Sequence, residues 1–368
     1  LYLWHWPLLS LARTMERGLP RADVRLAAVI LAIALAWLTY RLIERPMRST
    51  GRDRFKLVAL CALMGLVGLL GAFAYKQKGF AFRLSEQPPQ ALLDQVTEST
   101  RTLLSDGSCN ELLKLPMTGS TVCLTNSSSP EVLMIGDSHA MALNSAALLG
   151  QVSIKTLLLG RHGCPPLMGH SVRIEKQNMG CNDLSQQVLQ ILDLYPSIRT
   201  VILTSRGPFY FSGQGYGIEG RSGYSLFALD GSTAPQIDMF RQGTARLVQT
   251  LLQLRQNVVY VIDPPELGED PKGCIFKRPV TLVGESLSDC SQSLSNVVAR
   301  QTQYRDLLEQ VHAENFQLKI YDPRDLFCDQ ERCYGLRQGR LLYRDDDHIS
   351  ISASEMVLRD MQQRGLLP

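Results

Sequence analysis

Two short motifs carry side chains that could perform acyl transfer. Residues 132–139 read Val-Leu-Met-Ile-Gly-Asp-Ser-His, so a short apolar run leads directly into Ser138. Near the C-terminus, Asp345 and His348 stand three residues apart in the run Asp-Asp-Asp-His. A serine whose hydroxyl is activated by an imidazole is the basic equipment of covalent acyl transfer. We therefore expect Ser138 to act as nucleophile, His348 as general base and Asp345 as the carboxylate that orients the imidazole.

Each motif also has an ordinary structural interpretation. Asp and Ser are favoured at helix N-termini, so the Gly-Asp-Ser turn could simply cap the helix predicted from Ala140. The acidic run before His348 could be a polar loop that leads into the helix predicted from Ser352. Ser–His–Asp chemistry does not depend on chain order. The two motifs together therefore favour the catalytic interpretation.

An acyl-transfer site also needs donors for the oxyanion. The backbone amide of Ser138 would supply one of them. Gly163, in the segment Gly-Arg-His-Gly-Cys-Pro-Pro after the second predicted strand, is the candidate for a second. A glycine that is kept for a turn before the two prolines explains the same segment equally well. His139, next to the candidate nucleophile, is expected to have a structural role.

From residue 131 onward, short apolar runs alternate with longer amphipathic ones. This alternation predicts an α/β fold in which a parallel sheet is flanked by helices on both faces. Such sheets bind their ligands at the carboxyl ends of the strands, where Ser138 is expected. The aromatic-containing segment 207–235 is expected on the same side, as an ordered loop or as a surface that packs on sugar faces. The predicted strands are 132–135, 154–159, 200–204, 258–262 and 318–321, and the predicted helices are 140–149, 184–194, 239–254, 295–313 and 352–364.

The first 75 residues are apolar enough to predict membrane helices. Segments 24–43 and 57–75 are each close to the length that crosses a bilayer, and 2–11 is expected to be the tail of another span. The loop 41–56 is rich in arginine, which favours its placement in the cytoplasm. The chain begins at Leu1 without a methionine, so we expect a fragment of a longer protein.

The charge balance limits the classes of partner that we expect, and the cysteine content indicates the compartment. With 38 basic and 35 acidic residues, the chain lacks the charge balance that favours nucleic-acid binding. Eight of the nine cysteines lie beyond residue 100 and form local couples. We expect disulfides in an oxidising compartment, without a fixed connectivity, rather than free thiols or a zinc site. The couples are 109/123, 164/181, 274/290 and 328/333.

Residues 131–368 resemble the SGNH (GDSL-like) esterase superfamily, which is named for a Ser, Gly, Asn and His in separate blocks. The motif around Ser138 matches the serine block, Gly163 matches the glycine block and Asp345-x-x-His348 matches the last block. The family usually carries a Gly-x-Asn-Asp motif after the third strand, but this chain has Leu-Thr-Ser-Arg-Gly-Pro there. Ser205 and Arg206 are therefore candidate substitutes for the missing asparagine as third oxyanion donor or substrate contact.

The N-terminal part resembles the end of bacterial acyltransferase-3 membrane proteins. The segments Leu-Tyr-Leu-Trp-His-Trp-Pro at 1–7 and Tyr-Arg-Leu-Ile-Glu-Arg-Pro at 40–46 carry this likeness. Fusions of that module to an SGNH domain O-acetylate surface polysaccharides, notably lipopolysaccharide O-antigen. The resemblance implies acetyl-CoA as the donor to an upstream module that precedes Leu1, and no cofactor in this chain. It also implies a multi-pass protein of the bacterial inner membrane.

We therefore expect three regions. Residues 1–75 would be the last transmembrane helices, 76–130 a periplasmic linker or extension, and 131–368 the periplasmic SGNH domain. The expected activity is O-acetyl transfer to a cell-envelope polysaccharide through a serine acyl-enzyme. Two alternatives stay open: a polysaccharide acetyl esterase, and a non-catalytic domain that presents glycan to the membrane module.

Overall fold

The computed structural model describes residues 1–16, 20–48, 53–77, 79–80, 89–99, 121–217, 219–220, 223–254, 257–275 and 290–368. The chain divides into two compact units. One unit comprises residues 1–88 and 273–288, and the other comprises residues 89–272 and 289–368. Cys109 of the predicted couple 109/123 lies outside the described residues. The same holds for three parts of the predicted extension, namely 78, 81–88 and 100–120.

The N-terminal unit is helical, as its apolar composition predicts. Its helices are α1 (Tyr2–Glu16), α2 (Ala22–Thr39), which continues through a π-helical turn (Tyr40–Glu44) into α3 (Arg45–Met47), and α4 (Asp53–Lys76). The stretches Ala22–Met47 and Arg54–Lys76 are long and apolar enough to cross a membrane, by length and composition. Almost none of their side chains are buried within the protein, unlike those of a core helix in a soluble domain.

The second unit alternates strands and helices. Its helices are α5 (Gln90–Ser99), α6 (Ser138–Leu148), α7 (Asn182–Leu194), α8 (Gly207–Ser212), α9 (Gln236–Gln253), α11 (Leu294–Glu314), α12 (Arg324–Phe327) and α13 (Ile351–Gln363). Helix α10 (Lys272–Ile275) begins at the last residue of the segment 89–272, and its other residues belong to the first unit. Its strands are β1 (Thr121–Thr125), β2 (Val132–Gly136), β3 (Thr156–Arg161), β4 (His170–Ile174), β5 (Gln177–Asn178), β6 (Thr200–Thr204), β7 (Tyr224–Ala228), β8 (Asn257–Val261), β9 (Ser291–Ser293), β10 (Lys319–Tyr321), β11 (Arg332–Tyr334), β12 (Leu336–Arg337) and β13 (Arg340–Leu341).

A six-stranded sheet forms the centre of this unit, in the order β1-β3-β2-β6-β8-β10. All five strands predicted from the apolar runs are present and parallel. The edge strand β1, which was not predicted, pairs antiparallel with β3. Because β2 and β6 are buried along their whole length, they lack the alternation of a half-exposed strand.

Helices cover both faces of the sheet, which confirms the predicted α/β, SGNH-like architecture. Alternate residues of β2 point into different cores: Leu133 packs with α7, α9 and α11, whereas Met134 packs with α6 and α13. The amphipathic helices predicted at 140–149, 184–194, 239–254, 295–313 and 352–364 are α6, α7, α9, α11 and α13. Their ends differ from the prediction by a few residues.

The segment 207–235 is more ordered than a single loop. It contains helix α8 and strand β7, and β7 pairs antiparallel with β4 in a small three-stranded sheet, β5-β4-β7. The described part of this segment therefore has its own secondary structure beside the end of β6.

Two predicted cysteine couples are disulfides. Cys164 is bonded to Cys181, and Cys328 is bonded to Cys333. Cys123 is also disulfide-bonded, whereas its predicted partner Cys109 and the side chain of Cys274 lie outside the described residues. The oxidised pairs agree with the expectation of an oxidising compartment.

Candidate active site

Strand β2 and helix α6 place Ser138 at the carboxyl edge of the sheet. The strand ends at Gly136 and the helix begins at Ser138, so the chain turns within one residue. A side chain at Gly136 would have its Cβ 1.9 Å from the carbonyl oxygen of Thr204 on β6. Only glycine allows the two strands to approach this closely. The serine is consequently held at the point where parallel sheets present their chemistry.

Asp137 fixes this turn through three hydrogen bonds. Its carboxylate caps α6 by accepting from the backbone N–H of His139 at 2.9 Å. It also accepts from the N–H of Arg206 at 3.1 Å and from the hydroxyl of Tyr210 at 2.7 Å. The capping interpretation of the Gly-Asp-Ser motif is thus correct for Asp137, and it leaves the hydroxyl of Ser138 available for a different partner.

The structure brings Ser138, His348 and Asp345 together. Nε2 of His348 lies 2.8 Å from Oγ of Ser138, although the two residues are 210 positions apart in the chain. Nδ1 of His348 lies 3.0 and 3.1 Å from the two carboxylate oxygens of Asp345. Asp345 also accepts from the backbone N–H of His348 at 2.7 Å. This is the relative arrangement that a serine nucleophile, its base and an orienting carboxylate require.

A second carboxylate, which the sequence did not single out, contacts the same imidazole. Oδ1 of Asp347 lies 2.6 Å from Nδ1 of His348. Oδ2 of Asp347 lies 2.8 Å from Nη1 of Arg206 and 3.6 Å from Nε2 of His139. The side chain of Asp347 is 7% exposed, whereas that of Asp345 is 36% exposed.

His139 lies beneath the candidate base. It is buried, its Nδ1 is 2.7 Å from Oδ1 of Asp263, and its ring centroid is 4.6 Å from that of His348. Burial opposes a positive charge there, but Asp263 and Asp347 outweigh it and raise the pKa of His139 well above its ordinary value. The sequence indicated a structural role for His139 through its position next to Ser138, and gave no signal for its contact with His348.

The charges around His348 set its protonation. Burial and the charge of His139 lower the pKa of His348, but its hydrogen bonding to the carboxylates of Asp345 and Asp347 outweighs them, so this pKa lies above its ordinary value. Although burial raises it, His139 and His348 hold the pKa of the Asp347 carboxyl well below its usual range. Both carboxylates are therefore ionised at neutral pH beside the imidazole.

A cavity of about 580 Å³ opens over these groups. Gly163 lines it together with Ser138, His348 and Asp345. His162, to which the sequence assigned no role, is a further lining residue. The segment 207–235 contributes Phe209, Tyr210, Glu219 and Tyr224 to the wall of this cavity.

Ser205 and Arg206 were the two candidates for a third oxyanion donor or substrate contact. Arg206 lines this cavity, whereas Ser205 does not. Ser205 is completely buried beneath it. The guanidinium of Arg206 is already bound by carboxylates, with Nε 2.6 Å from Glu266, Nη2 2.5 Å from Glu219 and Nη1 2.8 Å from Asp347. Each nitrogen of the guanidinium is thus bound by a carboxylate, and these contacts fix Arg206 in the wall of the cavity.

The two candidate backbone donors stand at the same cavity. In the part of the chain that the structure describes, the amides of Ser138 and Gly163 donate to no other group. Gly163 has a φ of +72°, and a Cβ there would lie 3.3 Å from the hydroxyl oxygen of Tyr224. Left-handed backbone and close packing both favour glycine at this position.

Three of these side chains could also be considered as a metal site. The ligand atoms of His139, Asp347 and His348 lie within 4.8 Å of one another. A metal needs neutral imidazoles, but the raised pKa of His139 favours its imidazolium form. The positively charged guanidinium of Arg206 moreover lies 2.8 Å from the carboxylate of Asp347. These residues do not suit a divalent cation.

A family model and several solved structures match this chain. The family model for an SGNH domain fused to AT3 domains matches residues 108–363. No curated protein sequence matches. The solved structures that are similar include the periplasmic domain of the lipopolysaccharide acetyltransferase of Salmonella ser. Paratyphi A, with 12% identity, coverage of 70% of this chain and 95% of that chain, and a TM-score of 0.41.

Two further solved structures are similar at comparable levels. An acetyl xylan esterase, AlAXEase, has 13% identity, coverage of 63% and 98%, and a TM-score of 0.35. TesA has 11% identity, coverage of 64% and 99%, and a TM-score of 0.34.

Proposed function

Because this chain belongs to the family of SGNH domains that are fused to AT3 domains, we propose that it transfers an acetyl group to a hydroxyl of a cell-envelope polysaccharide. Lipopolysaccharide O-antigen is the substrate we favour. The contact between Ser138 and His348, within a cavity that a sugar could enter, is the observation that carries this proposal. Such a pair is the minimum that covalent acyl transfer requires.

The first half-reaction would load the acetyl group onto Ser138. Oγ attacks the acetyl carbonyl carbon while Nε2 of His348, 2.8 Å away, takes the hydroxyl proton. The carbonyl oxygen becomes an oxyanion, for which the amides of Ser138 and Gly163 are the available donors. The tetrahedral intermediate then collapses, and the leaving group departs with the proton from His348. Ser138 is left as an acetyl ester.

The second half-reaction would use the same groups in reverse. A sugar hydroxyl gives its proton to Nε2 of His348 and attacks the ester carbon. The new oxyanion is held by the same amides, and Ser138 leaves with the proton that His348 returns. Asp345 holds the imidazole in the tautomer that both steps need. If water took the place of the sugar hydroxyl, the same site would be an esterase.

The N-terminal helices supply the reason to favour transfer over hydrolysis. We propose that residues 1–75 are the last membrane helices of an AT3 module, with 76–130 as the connection and 131–368 as the catalytic domain. The chain would lie in the bacterial inner membrane, with residues 76–368 in the periplasm. The two apolar helices and the disulfides support this arrangement. Acetyl-CoA in the cytoplasm would supply the acetyl group through the upstream module.

The test is O-acetylation in cells that carry the whole protein with Ser138→Ala. We expect the acetyl signals in the NMR spectrum of the purified surface polysaccharide to disappear, because the proposed acetyl ester forms on the hydroxyl of Ser138. Ser153→Ala, which removes an exposed serine hydroxyl, is the matched control and should leave the signals unchanged.

The other outcomes separate the alternatives. Unchanged acetylation with Ser138→Ala would rule out the catalytic role and leave a domain that presents glycan to the membrane module. Increased acetylation would identify an esterase instead. The position of the acetyl signals in the wild-type polysaccharide would also identify the sugar and the hydroxyl.

A further inference from the structure

We propose that Asp347 is a second positioning carboxylate for His348, and that Arg206 and the buried pair of His139 and Asp263 hold it in place. The imidazole would thus be oriented by two carboxylates rather than by Asp345 alone. This inference rests on the proposed function, since it concerns the same serine and imidazole.

The distances on Nδ1 of His348 are the first observation. Asp347 approaches this nitrogen to 2.6 Å, and Asp345 approaches it to 3.0 Å. The side chain of Asp347 is 7% exposed and that of Asp345 is 36% exposed. A buried charge is screened less by water and salt than an exposed one. Asp347 is therefore positioned to act electrostatically on the imidazole beside Asp345, which accepts the hydrogen bond from Nδ1.

A buried carboxylate needs compensation, and Arg206 provides it. Nη1 of Arg206 lies 2.8 Å from Oδ2 of Asp347. The other guanidinium nitrogens are fixed by Glu266 and Glu219, so Arg206 has little freedom to release Asp347. Asp347 can consequently use one oxygen for Arg206 while the other faces His348.

His139 lies near the same carboxylate oxygen as Arg206. Its Nε2 is 3.6 Å from Oδ2 of Asp347, and its Nδ1 is bound by Asp263 at 2.7 Å. Its ring lies against the ring of His348. Because His139 directly follows Ser138 on α6, this contact links the helix of the nucleophile to the loop of the base.

The groups that face His348 come from several elements, so its titration reports on more than its own loop. Asp345 and Asp347 raise its pKa and His139 lowers it. The other polar and charged groups that line the same cavity are Ser138 on α6, Arg206 before α8, His162 after β3, Asp137, Glu219 and Asp346. Arg344 lies 3.5 Å from Asp345.

The experiment measures how fast Ser138 of the full chain, in detergent micelles, reacts with a fluorophosphonate probe. Oγ forms a bond to phosphorus, fluoride leaves, and the hydroxyl proton passes to His348. With two orienting carboxylates, we expect Asp345→Asn and Asp347→Asn each to slow labelling about 10-fold. We expect the double variant to approach the roughly 10⁴-fold loss that follows when a catalytic histidine has no orienting carboxylate. Asp306→Asn, an exposed carboxylate on α11, should label at the wild-type rate.

The pH profile separates positioning from a merely structural role. Asp347→Asn removes an anion that raises the pKa of His348, so the acid limb of labelling should move to lower pH. Asp347→Glu keeps the charge and should leave the limb close to its wild-type position, even if it labels more slowly. A structural defect alone would lower the rate at every pH without moving the limb.

Two results would overturn the inference. One is an Asp347→Asn variant with wild-type rate and wild-type acid limb. The other is a single variant Asp345→Asn that loses as much as the double variant. The proposed function is tested separately by Ser138→Ala. If this variant loses both labelling and cellular acetylation, the proposed function stands even when the inference about Asp347 fails. A wild-type protein that is not labelled at Ser138 would overturn both.

Discussion

At the scale of single residues, the electrostatics of the site depend on four titratable groups that lie close together. They are Asp345, Asp347, His348 and His139. Asp345 and Asp347 are ionised beside His348, and His139 is held protonated beneath it. Burial and the charge of His139 lower the pKa of His348, whereas Asp345 and Asp347 raise it, and the balance leaves this pKa above its ordinary value.

The raised pKa of His348 predicts a defined pH dependence. His348 must be neutral to accept the proton of Ser138, so the rate of Ser138 labelling should rise with pH through the pKa of His348. Because that pKa is above the ordinary value of 6.5, the midpoint of the acid limb should lie above 6.5. Below the midpoint the rate should fall about 10-fold for each pH unit. A midpoint below 6.5 in the wild-type protein would contradict this prediction.

At the scale of elements, the site is made by strand ends that meet at one edge. Ser138 follows β2, Gly163 follows β3, Arg206 follows β6 and Asp263 follows β8. These strands are neighbours in the order β3-β2-β6-β8 and run parallel. The sequence predicted this common edge from the positions of the apolar runs. His348 reaches it from a loop before α13, which the strand pattern alone did not indicate.

The turn between β2 and α6 offers a test at this scale. Gly136→Ala would place a Cβ 1.9 Å from the carbonyl oxygen of Thr204, which belongs to a central strand and cannot move easily. We expect a loss of about 3 kcal/mol in the free energy of unfolding, together with slower Ser138 labelling. Urea unfolding of the full chain in detergent, followed by circular dichroism, measures the first effect.

Gly160→Ala is the matched control for that variant. Gly160 is the register partner of Gly136 on β3. Its added Cβ would meet the terminal methyl of Met141 at 3.0 Å, which is the far end of a flexible side chain. We expect a cost of about 1 kcal/mol. Equal losses for the two variants would show that the close approach of β2 and β6 is not what requires Gly136.

At the scale of the whole molecule, disulfides help to fix the segments around the site. Cys164 immediately follows Gly163, and its bond to Cys181 ties this segment to the start of α7. Cys328 and Cys333 close a much shorter loop. In the chain-entropy description, a longer loop gives a larger stabilisation. The disulfide beside Gly163 should therefore contribute more to stability than Cys328–Cys333.

Replacing each pair of cysteines by alanine tests this order. With a sequence separation of 17, the loss of Cys164–Cys181 should lower the free energy of unfolding by about 3 kcal/mol. With a separation of 5, the loss of Cys328–Cys333 should cost about 2 kcal/mol and serves as the control. Only the first pair should also slow Ser138 labelling, since it holds the segment of Gly163. A larger effect of the second pair on labelling would contradict the role given to Gly163.

Local signals in the sequence determined much of this molecule. Apolar runs such as 132–135 determine strands, because a strand buried on both faces needs continuous apolar side chains. The amphipathic period determines the helices, and the local couples of cysteines indicate disulfides, whose connectivity at 164/181 and 328/333 comes from the structure. The Gly-Asp-Ser and Asp-x-x-His motifs identified the candidate nucleophile, base and orienting carboxylate from residue type and spacing.

Tertiary structure decided which groups act on one another. The edge strand β1 has no strong local signal, because its place depends on pairing with β3. Asp347 stands in an acidic run where residue type cannot distinguish it from its neighbours. His139 on α6 and Arg206 at the end of β6 give it a buried place beside His348. Arg206 was considered for the oxyanion, yet the carboxylates of Glu219, Glu266 and Asp347 bind it. Electrostatic partners of this kind are set by distances in space, and spacing along the chain does not contain them.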